Sequence, residues 1–162
     1  NLPYNAGTKM ITRMLARPDR FDRLIVMVQR EVAERLVAGA GDRKRGSLSV
    51  FTEARAEARI CIRVPPGAFH PPPRVHSAVV ELRLRPEPLH GSAPLALFDE
   101  VVRGLFTQPR KTLRNNLATV MPKARVDGVC ALAGIESMRR PSTLTLGEIQ
   151  SLAAAIHADR VR

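Results

Sequence analysis

The spacing of apolar positions divides the chain into segments of different period. Between Ala6 and Ala16, Met10, Ile11, Met14 and Leu15 recur at the three- and four-residue intervals of one buried helical face. Leu24-Ile25-Val26-Met27-Val28 is instead a short continuous apolar run, the pattern of a strand buried on both faces. A helix from Arg30 to Ala38 follows, burying Val32, Ala33, Leu36 and Val37 and placing Glu31 one turn before Arg35 as an ion pair. Ser47 to Phe51 reads two ways: Leu48 and Val50 alternate as in a strand, but Glu53-Ala54-Arg55-Ala56 favours helix. Ile60, Ile62 and Val64 alternate with Cys61 and Arg63, and Val80, Leu82 and Leu84 alternate with Glu81 and Arg83, so each set predicts a strand with one buried face. Pro65-Pro66 ends the first of these, because proline has no N–H to give to a ladder.

Beyond Arg85 the period changes. Pro86, Pro88, Gly91 and Pro94 punctuate a boundary, and everything after them reads as helix. Phe98, Val101, Val102, Leu105 and Phe106 form one stripe, Leu113, Leu117, Val120 and Met121 a second, and Val126, Val129, Cys130 and Ala133 a third. The last helix opens on Thr145-Leu146-Gly147-Glu148, the spacing of a capping box, and buries Ile149, Leu152, Ala153 and Ile156. The expected organisation is an α/β piece over residues 1–85, a linker over 86–94 and a small all-α domain over 95–162.

Composition narrows the class. Hydrophobic residues make up 44% of the 162 and charged residues 25%, a globular balance. The longest apolar run is strand-sized and cannot cross a bilayer, and the opening residues lack the basic start and apolar core of a secretion signal. A cytoplasmic location is expected, and the missing initial Met suggests a fragment of a longer chain. Cys61 and Cys130 are isolated and read as small core residues in a reducing compartment. His70, His76, His90 and His157 show no ligand spacing, so no metal is expected.

Charge gives the first functional direction. Lys and Arg number 26 against 15 acids, a net charge of +11. Such an excess favours a polyanionic partner, since neutralising phosphates releases counterions. Two clusters stand out: Arg43-Lys44-Arg45 in the glycine-bearing loop Gly39 to Gly46, and Arg110, Lys111 and Arg114, expected within one helical turn. Each cation alone is equally an ordinary solvated charge; as clusters they suit a phosphate backbone.

The candidate chemistry lies in Asn1-Leu2-Pro3-Tyr4. The exocyclic amine of adenine is a poor nucleophile because its lone pair is delocalised into the ring. An Asn side-chain oxygen and a prolyl carbonyl can each accept one of its N–H bonds, turning the lone pair toward an incoming methyl group. The fixed φ of Pro3 aims that carbonyl, and Tyr4 offers a ring on which an extruded base can stack. A strand end running into an ordinary Asn-x-Pro turn is the alternative.

Further blocks accompany this motif. Val28-Gln29-Arg30-Glu31-Val32-Ala33-Glu34-Arg35-Leu36, Gly46-Ser47-Leu48-Ser49-Val50, the run from Val64 through Phe69-His70-Pro71-Pro72-Pro73-Arg74-Val75-His76-Ser77 to Val80, and Phe106 to Leu117 with Arg110-Lys111-Thr112-Leu113 occur in order. Together they resemble the KsgA-type rRNA adenine N6-dimethyltransferases of the small ribosomal subunit. The resemblance implies the C-terminal part of a class I, Rossmann-like methyltransferase sheet followed by a helical rRNA-docking domain. It implies S-adenosylmethionine as donor and small-subunit rRNA, in an immature subunit, as partner. It places Asn1 where donor and target base meet, and Tyr4 and Phe69 on either side of the base. Phe69 also has a plain role as a plug between Pro66 and Pro72. The class I strand order further implies that the strand ending at Leu84 lies between the other two and antiparallel to them.

Departures from the family pattern are Lys9, where a Pro or small residue is usual, and Pro109 in place of the first Arg of an Arg-Arg-Lys run. The Gly-rich donor loop and the acidic ribose partner are not found, so the 162 residues are expected to bind the donor weakly and to be inactive alone, with a missing N-terminal half as a further partner. A non-catalytic ribosome-assembly module, and a resistance-type enzyme of large-subunit rRNA sharing the Asn-[Leu/Ile]-Pro-Tyr motif, remain as other readings.

Overall fold

A computed structural model describes residues 1–3 and 6–161. Helix α1 (Gly7–Leu15) precedes strand β1 (Arg23–Gln29), which runs directly into α2 (Arg30–Leu36). Helix α3 (Ser47–Arg55) is continuous with β2 (Ala56–Val64), and β3 (Ser77–Leu84) completes the sheet. Helices α4 (Leu95–Leu105), α5 (Leu113–Leu117), α6 (Lys123–Leu132) and α7 (Leu146–Val161) follow.

The sheet has the order β1-β3-β2, with β3 antiparallel to both neighbours, as the class I strand order implied. Its inner face, formed by Leu24, Val26, Val28, Ala56, Ala78, Val80 and Leu82, packs against Ile11 and Leu15 of α1, Ala33 and Leu36 of α2, and Leu48 of α3. Ser47–Phe51 resolves as helix: Val50 N–H bonds to Gly46 O and Thr52 Oγ1 to Leu48 O, and a strand would leave Val50 and Ala54 without the apolar surroundings they have.

Several expectations need correction. β1 is buried on one face only, and Ile25 is 66% exposed, because helices cover just the inner face of the sheet among the described residues. In β2 the register shifts between Ile60 and Ile62, so Ile62 pairs with Val79 and turns to the outer face, 58% exposed; such a bulge re-aims every side chain after it. Cys61, at the bulge, is exposed, whereas Cys130 is buried as expected, and burial pushes its thiol up to about 11. Met10 and Val37 lie on the outer edges of their helical faces and are exposed. The ion pair on α2 is Arg30 with Glu34, at 3.8 Å, in place of Glu31 with Arg35.

On the outer face a single carboxylate organises three cations. Glu81 in central β3 is in close contact with Arg59 of β2, and lies 3.2 Å from Arg83 Nε and 3.5 Å from Arg23 Nε. Only 3% of Glu81 is exposed, yet its cover is arginine side chain and not apolar core, so it remains ionised. The hydrogen bond from Arg59, then Arg83 and the charges of both, hold its carboxyl below the usual range.

The helical part has its own core, centred on Phe98, Val101, Val102, Leu105, Leu113, Leu117, Val126, Leu144, Ile149, Leu152 and Ile156. The capping box of α7 is present: Glu148 N–H donates to Thr145 Oγ1 at 3.2 Å and Thr145 N–H to Glu148 Oε2 at 2.8 Å. Each bond satisfies a backbone group that the first helical turn leaves unpaired.

Candidate adenine site and nucleic-acid interface

Residues 1–3 run beside the C-terminal end of β1, where Leu2 N–H donates to Met27 O at 3.1 Å. Leu2 is half-buried against the sheet core, which fixes the path of the segment, while Asn1 and Pro3 are exposed. The Pro3 carbonyl accepts Ala6 N–H at 3.1 Å and Gly7 N–H at 2.8 Å and so starts α1. A carbonyl has two lone pairs, and both are taken by these bonds. The acceptor role expected of Pro3 toward an adenine amine therefore conflicts with its role as a helix-starting carbonyl. Tyr4 lies outside the described residues. Leu2, Pro3, Gly7, Thr8, Val28 and Gln29 line a small crevice at this end of the sheet.

Phe69 closes the 3-10 turn Pro66–Ala68, with its N–H bonded to Pro66 O at 3.2 Å, and its side chain is half-buried. This geometry suits the plug between prolines as well as it suits a stacking surface.

The first basic cluster separates into three different situations. Arg45 is 3% exposed: Nη1 donates to Ala38 O at 3.0 Å, and Nη2 lies 2.8 Å from Glu53 Oε2, a charge contact without hydrogen-bond alignment. It holds the loop to α3 and shows almost no surface to solvent. Lys44 pairs closely with Glu34 of α2, lowering the Glu34 pKa through that hydrogen bond. Arg43 is exposed and has no hydrogen bond or ion pair among the described residues, so it is the free cation of the three. The loop is tied to the helical part by Gly41 N–H, which donates to Ser142 O at 2.8 Å. Gly41 has φ of +85°, a conformation that costs glycine little.

The second cluster is not one helical turn. Arg110 and Lys111 lie in the turn before α5, and only Arg114 is helical, paired with Asp127 at 3.3 Å. The cause is Asn116, 1% exposed within α5. Its Oδ1 accepts Gln108 N–H at 2.8 Å, and its Nδ2 faces Gln108 O at 3.0 Å, Thr112 O at 3.1 Å and Lys111 O at 3.3 Å. One side-chain amide thus replaces the backbone bonds a helix would have made and presents Arg110 and Lys111 outward, both exposed. The sequence reading missed this role, although a signal was there: Asn116 sits at helical spacing between Leu113 and Leu117 in an otherwise apolar stripe. Gln29, shared between neighbouring surface depressions, was given no role of its own, although it stands within the block Val28 to Leu36 that carries the family resemblance.

Among the described residues no group of three His, Cys, Asp or Glu side chains gathers as a metal site, and no helix is long and apolar enough to cross a membrane.

A family model described as ribosomal RNA adenine dimethylase matches residues 1–156. The ribosomal RNA small subunit methyltransferase A of Dinoroseobacter shibae is 45% identical over 161 residues, covering 98% of this chain and 56% of that protein. The protein of the same name from Syntrophotalea carbinolica is 43% identical over 159 residues, covering 96% and 60%. The chain thus spans little more than half the length of these relatives. A dimethyladenosine transferase from Plasmodium falciparum superposes with a TM-score of 0.75 at 21% identity, over 94% of this chain and 63% of that one. The 23S rRNA methyltransferase ErmE superposes with a TM-score of 0.67 at 25% identity, over 95% and 62%. The sheet and its helices have the α/β methyltransferase fold of these structures.

Proposed function

Because the chain belongs to the ribosomal RNA adenine dimethylase family, we propose that it supplies the adenine clamp and RNA-docking surface for N6,N6-dimethylation of adenines in small-subunit rRNA. What carries this reading is the family match across nearly the whole chain together with the anchoring of residues 1–3 at the end of β1.

In this mechanism the target adenine leaves its stack and enters beside Asn1. The Asn1 side-chain oxygen accepts one N–H of the exocyclic amine. The second acceptor is the carbonyl of Leu2, since that of Pro3 is committed to α1. Two fixed acceptors orient the amine lone pair before reaction, which lowers the entropic part of the barrier. Tyr4 and Phe69 stack on the base, and Arg43, Arg110 and Lys111 hold the surrounding phosphates of the immature subunit. Arg114 contributes once it leaves Asp127 for a phosphate, and Lys44 acts beside Glu34.

S-adenosylmethionine, the donor this family implies, supplies an electrophilic methyl group. The described residues do not form a cradle for it: the one strand that runs directly into a helix, β1 into α2, turns at Gln29–Arg30 with no glycine to let a ligand approach the backbone. The chain itself therefore holds the donor weakly, with Asn1 at the edge of its site. The setting is cytoplasmic, where ribosomal subunits mature.

Calorimetric titration of the chain tests this. A hairpin RNA with unpaired adenines is expected to bind with an affinity that falls steeply with salt, and S-adenosylmethionine to bind weakly or not at all. Tight donor binding would overturn the account of the donor site, and no RNA binding at low salt would overturn the docking role. The weak cradle also favours a second reading, an RNA-docking module without catalysis. Asn1→Ala in a protein that methylates RNA through this chain separates the two: the clamp requires loss of methyl transfer at unchanged RNA affinity, the module no change in either.

A further inference from the structure

Next to the Leu2–Pro3 crevice the surface opens into a cleft of about 440 Å³ lined by Gln29, Arg30, Glu34, Lys44, Arg74 and His76. Gln29 lines both depressions, so they share a wall. The segment that carries Arg74 and His76 is fixed to the start of α2, because Arg30 N–H donates to His76 O at 2.9 Å.

The charges of this cleft do not cancel. Glu34 is answered by Lys44 in close contact and by Arg30 at 3.8 Å. Glu31 also lines the cleft, so two carboxylates face the three cations Arg30, Lys44 and Arg74, leaving one positive charge over. Arg74 is exposed and has no hydrogen bond or ion pair among the described residues; the ring of His76 has none either. Among the described residues no Phe, Tyr or Trp side chain lines the cleft, and its lining is mostly charged, unlike the stacking platforms of single-strand binders. Its chemistry suits the charged backbone.

We propose that this cleft seats the phosphodiester adjoining the target adenine, with Arg74 as its main ligand and Arg30 and Lys44 in support. The proposal rests on the adenine-clamp reading above. A base rotated out of its stack and held by Asn1 and Leu2 brings its own sugar-phosphate link to the neighbouring surface, and the cleft is the depression that adjoins the crevice through Gln29. The planar fork of a guanidinium matches two phosphate oxygens at once, which a lysine would not. A phosphate held there fixes the register of the strand, so that the intended adenine and not its neighbour reaches Asn1.

The test uses a hairpin RNA with one unpaired adenine and two copies of it, each carrying a neutral methylphosphonate on one side of that adenine. Binding to the chain is followed by fluorescence anisotropy over a range of salt. Arg74→Gln is expected to weaken binding of the all-phosphate RNA on the order of fivefold, the upper end for an ion pair at an exposed site. The slope of log affinity against log salt should fall by about one. One of the two methylphosphonates should cause the same loss in the unaltered chain and no further loss in Arg74→Gln. Lys123→Gln, which removes an equal charge at the start of α6, serves as the control for long-range electrostatics, and melting curves confirm that both variants fold. If Arg74→Gln behaves like Lys123→Gln, or if its effect adds in full to both methylphosphonates, the cleft does not hold this phosphate although the adenine clamp stands. Failure of the unaltered chain to bind any of the RNAs overturns the clamp reading and this one together.

Discussion

Replacing Asn116 by Ala removes a side chain that organises the turn presenting Arg110 and Lys111. The amide lies in a site 1% exposed, with one acceptor bond to Gln108 N–H and two hydrogens shared among the carbonyls of Gln108, Thr112 and Lys111. At most three of these contacts are full hydrogen bonds at once, each worth about 1 kcal/mol net. Gln108 and Lys111 are exposed and recover water when the amide is lost, whereas the apolar surroundings of Leu113 and Leu117 keep part of the gap dry. The expected cost is therefore about 2–3 kcal/mol. Urea unfolding of the chain measures it, with Asn115→Ala as the comparison, since Asn115 is exposed and makes one side-chain bond, to Thr112 Oγ1 at 3.2 Å. RNA affinity should fall with Asn116→Ala even under conditions where the chain remains folded, because the two cations lose their fixed placement. A stability within about 0.5 kcal/mol of the unaltered chain, the range of ordinary surface substitutions, would refute the role assigned to Asn116.

Gly104→Ala would place a Cβ 2.1 Å from Val120 Cγ2, too close for any real contact, so a loss of about 1–3 kcal/mol is expected by thermal melting, with Val120→Ala restoring part of it in the double variant. Glu81 has a folded-state pKa below the ordinary 4.5, so its stabilisation is complete above that value and is lost as pH falls through the lowered range. Urea melts at descending pH should show a shallower acid loss for Glu81→Gln than for the unaltered chain, and equal slopes would mean the three arginines do not stabilise the ionised form.

Much of this architecture is legible from spacing alone, and the parts that are not have specific causes. The helix α1, the strand β3 and the stripes of α4 and α7 follow from their apolar periods, and the three-residue interval from Thr145 to Glu148 is enough to mark a helix start. Ile62 is illegible because a bulge at Cys61 interrupts the alternation, and a bulge leaves no mark in a pattern of period two. Ile25 is illegible because a continuous apolar run says that both faces of a strand can be covered, not that both are. Arg45 and Arg43 look alike as letters; only in the fold does Arg45 lie buried, 2.8 Å from Glu53 eight residues further on in α3, while Arg43 stays exposed. Asn1-Leu2-Pro3-Tyr4 marks the site as a motif, but only the bonds from Ala6 and Gly7 reveal that the Pro3 carbonyl is already in use.

The proline-bearing stretch from Arg85 reads in sequence as a linker, yet two backbone bonds tie it to α3. Arg85 N–H donates to Arg55 O at 2.8 Å and Leu89 N–H to Ala54 O at 2.7 Å, so the segment lies along the end of α3. The same helix contributes Leu48 to the sheet core and Val50 and Ala54 to the helical core. Arg55 then grips Asp99 of α4 with both carboxylate oxygens within 2.9 Å, while Arg55 and Arg103 stand over the ring of Phe51. A helix shared by two cores cannot rotate in one without disturbing the other, because packed interiors tolerate little displacement. The bond from Gly41 N–H to Ser142 O adds a further tie, between the loop before α3 and the helical part. Arg43 therefore keeps a fixed distance from the helical part. If the proposed docking role holds, an RNA seated on Arg110 and Lys111 would meet Arg43, Arg74 and Asn1 in a set geometry, and the helical part would then select which adenine is presented without touching it.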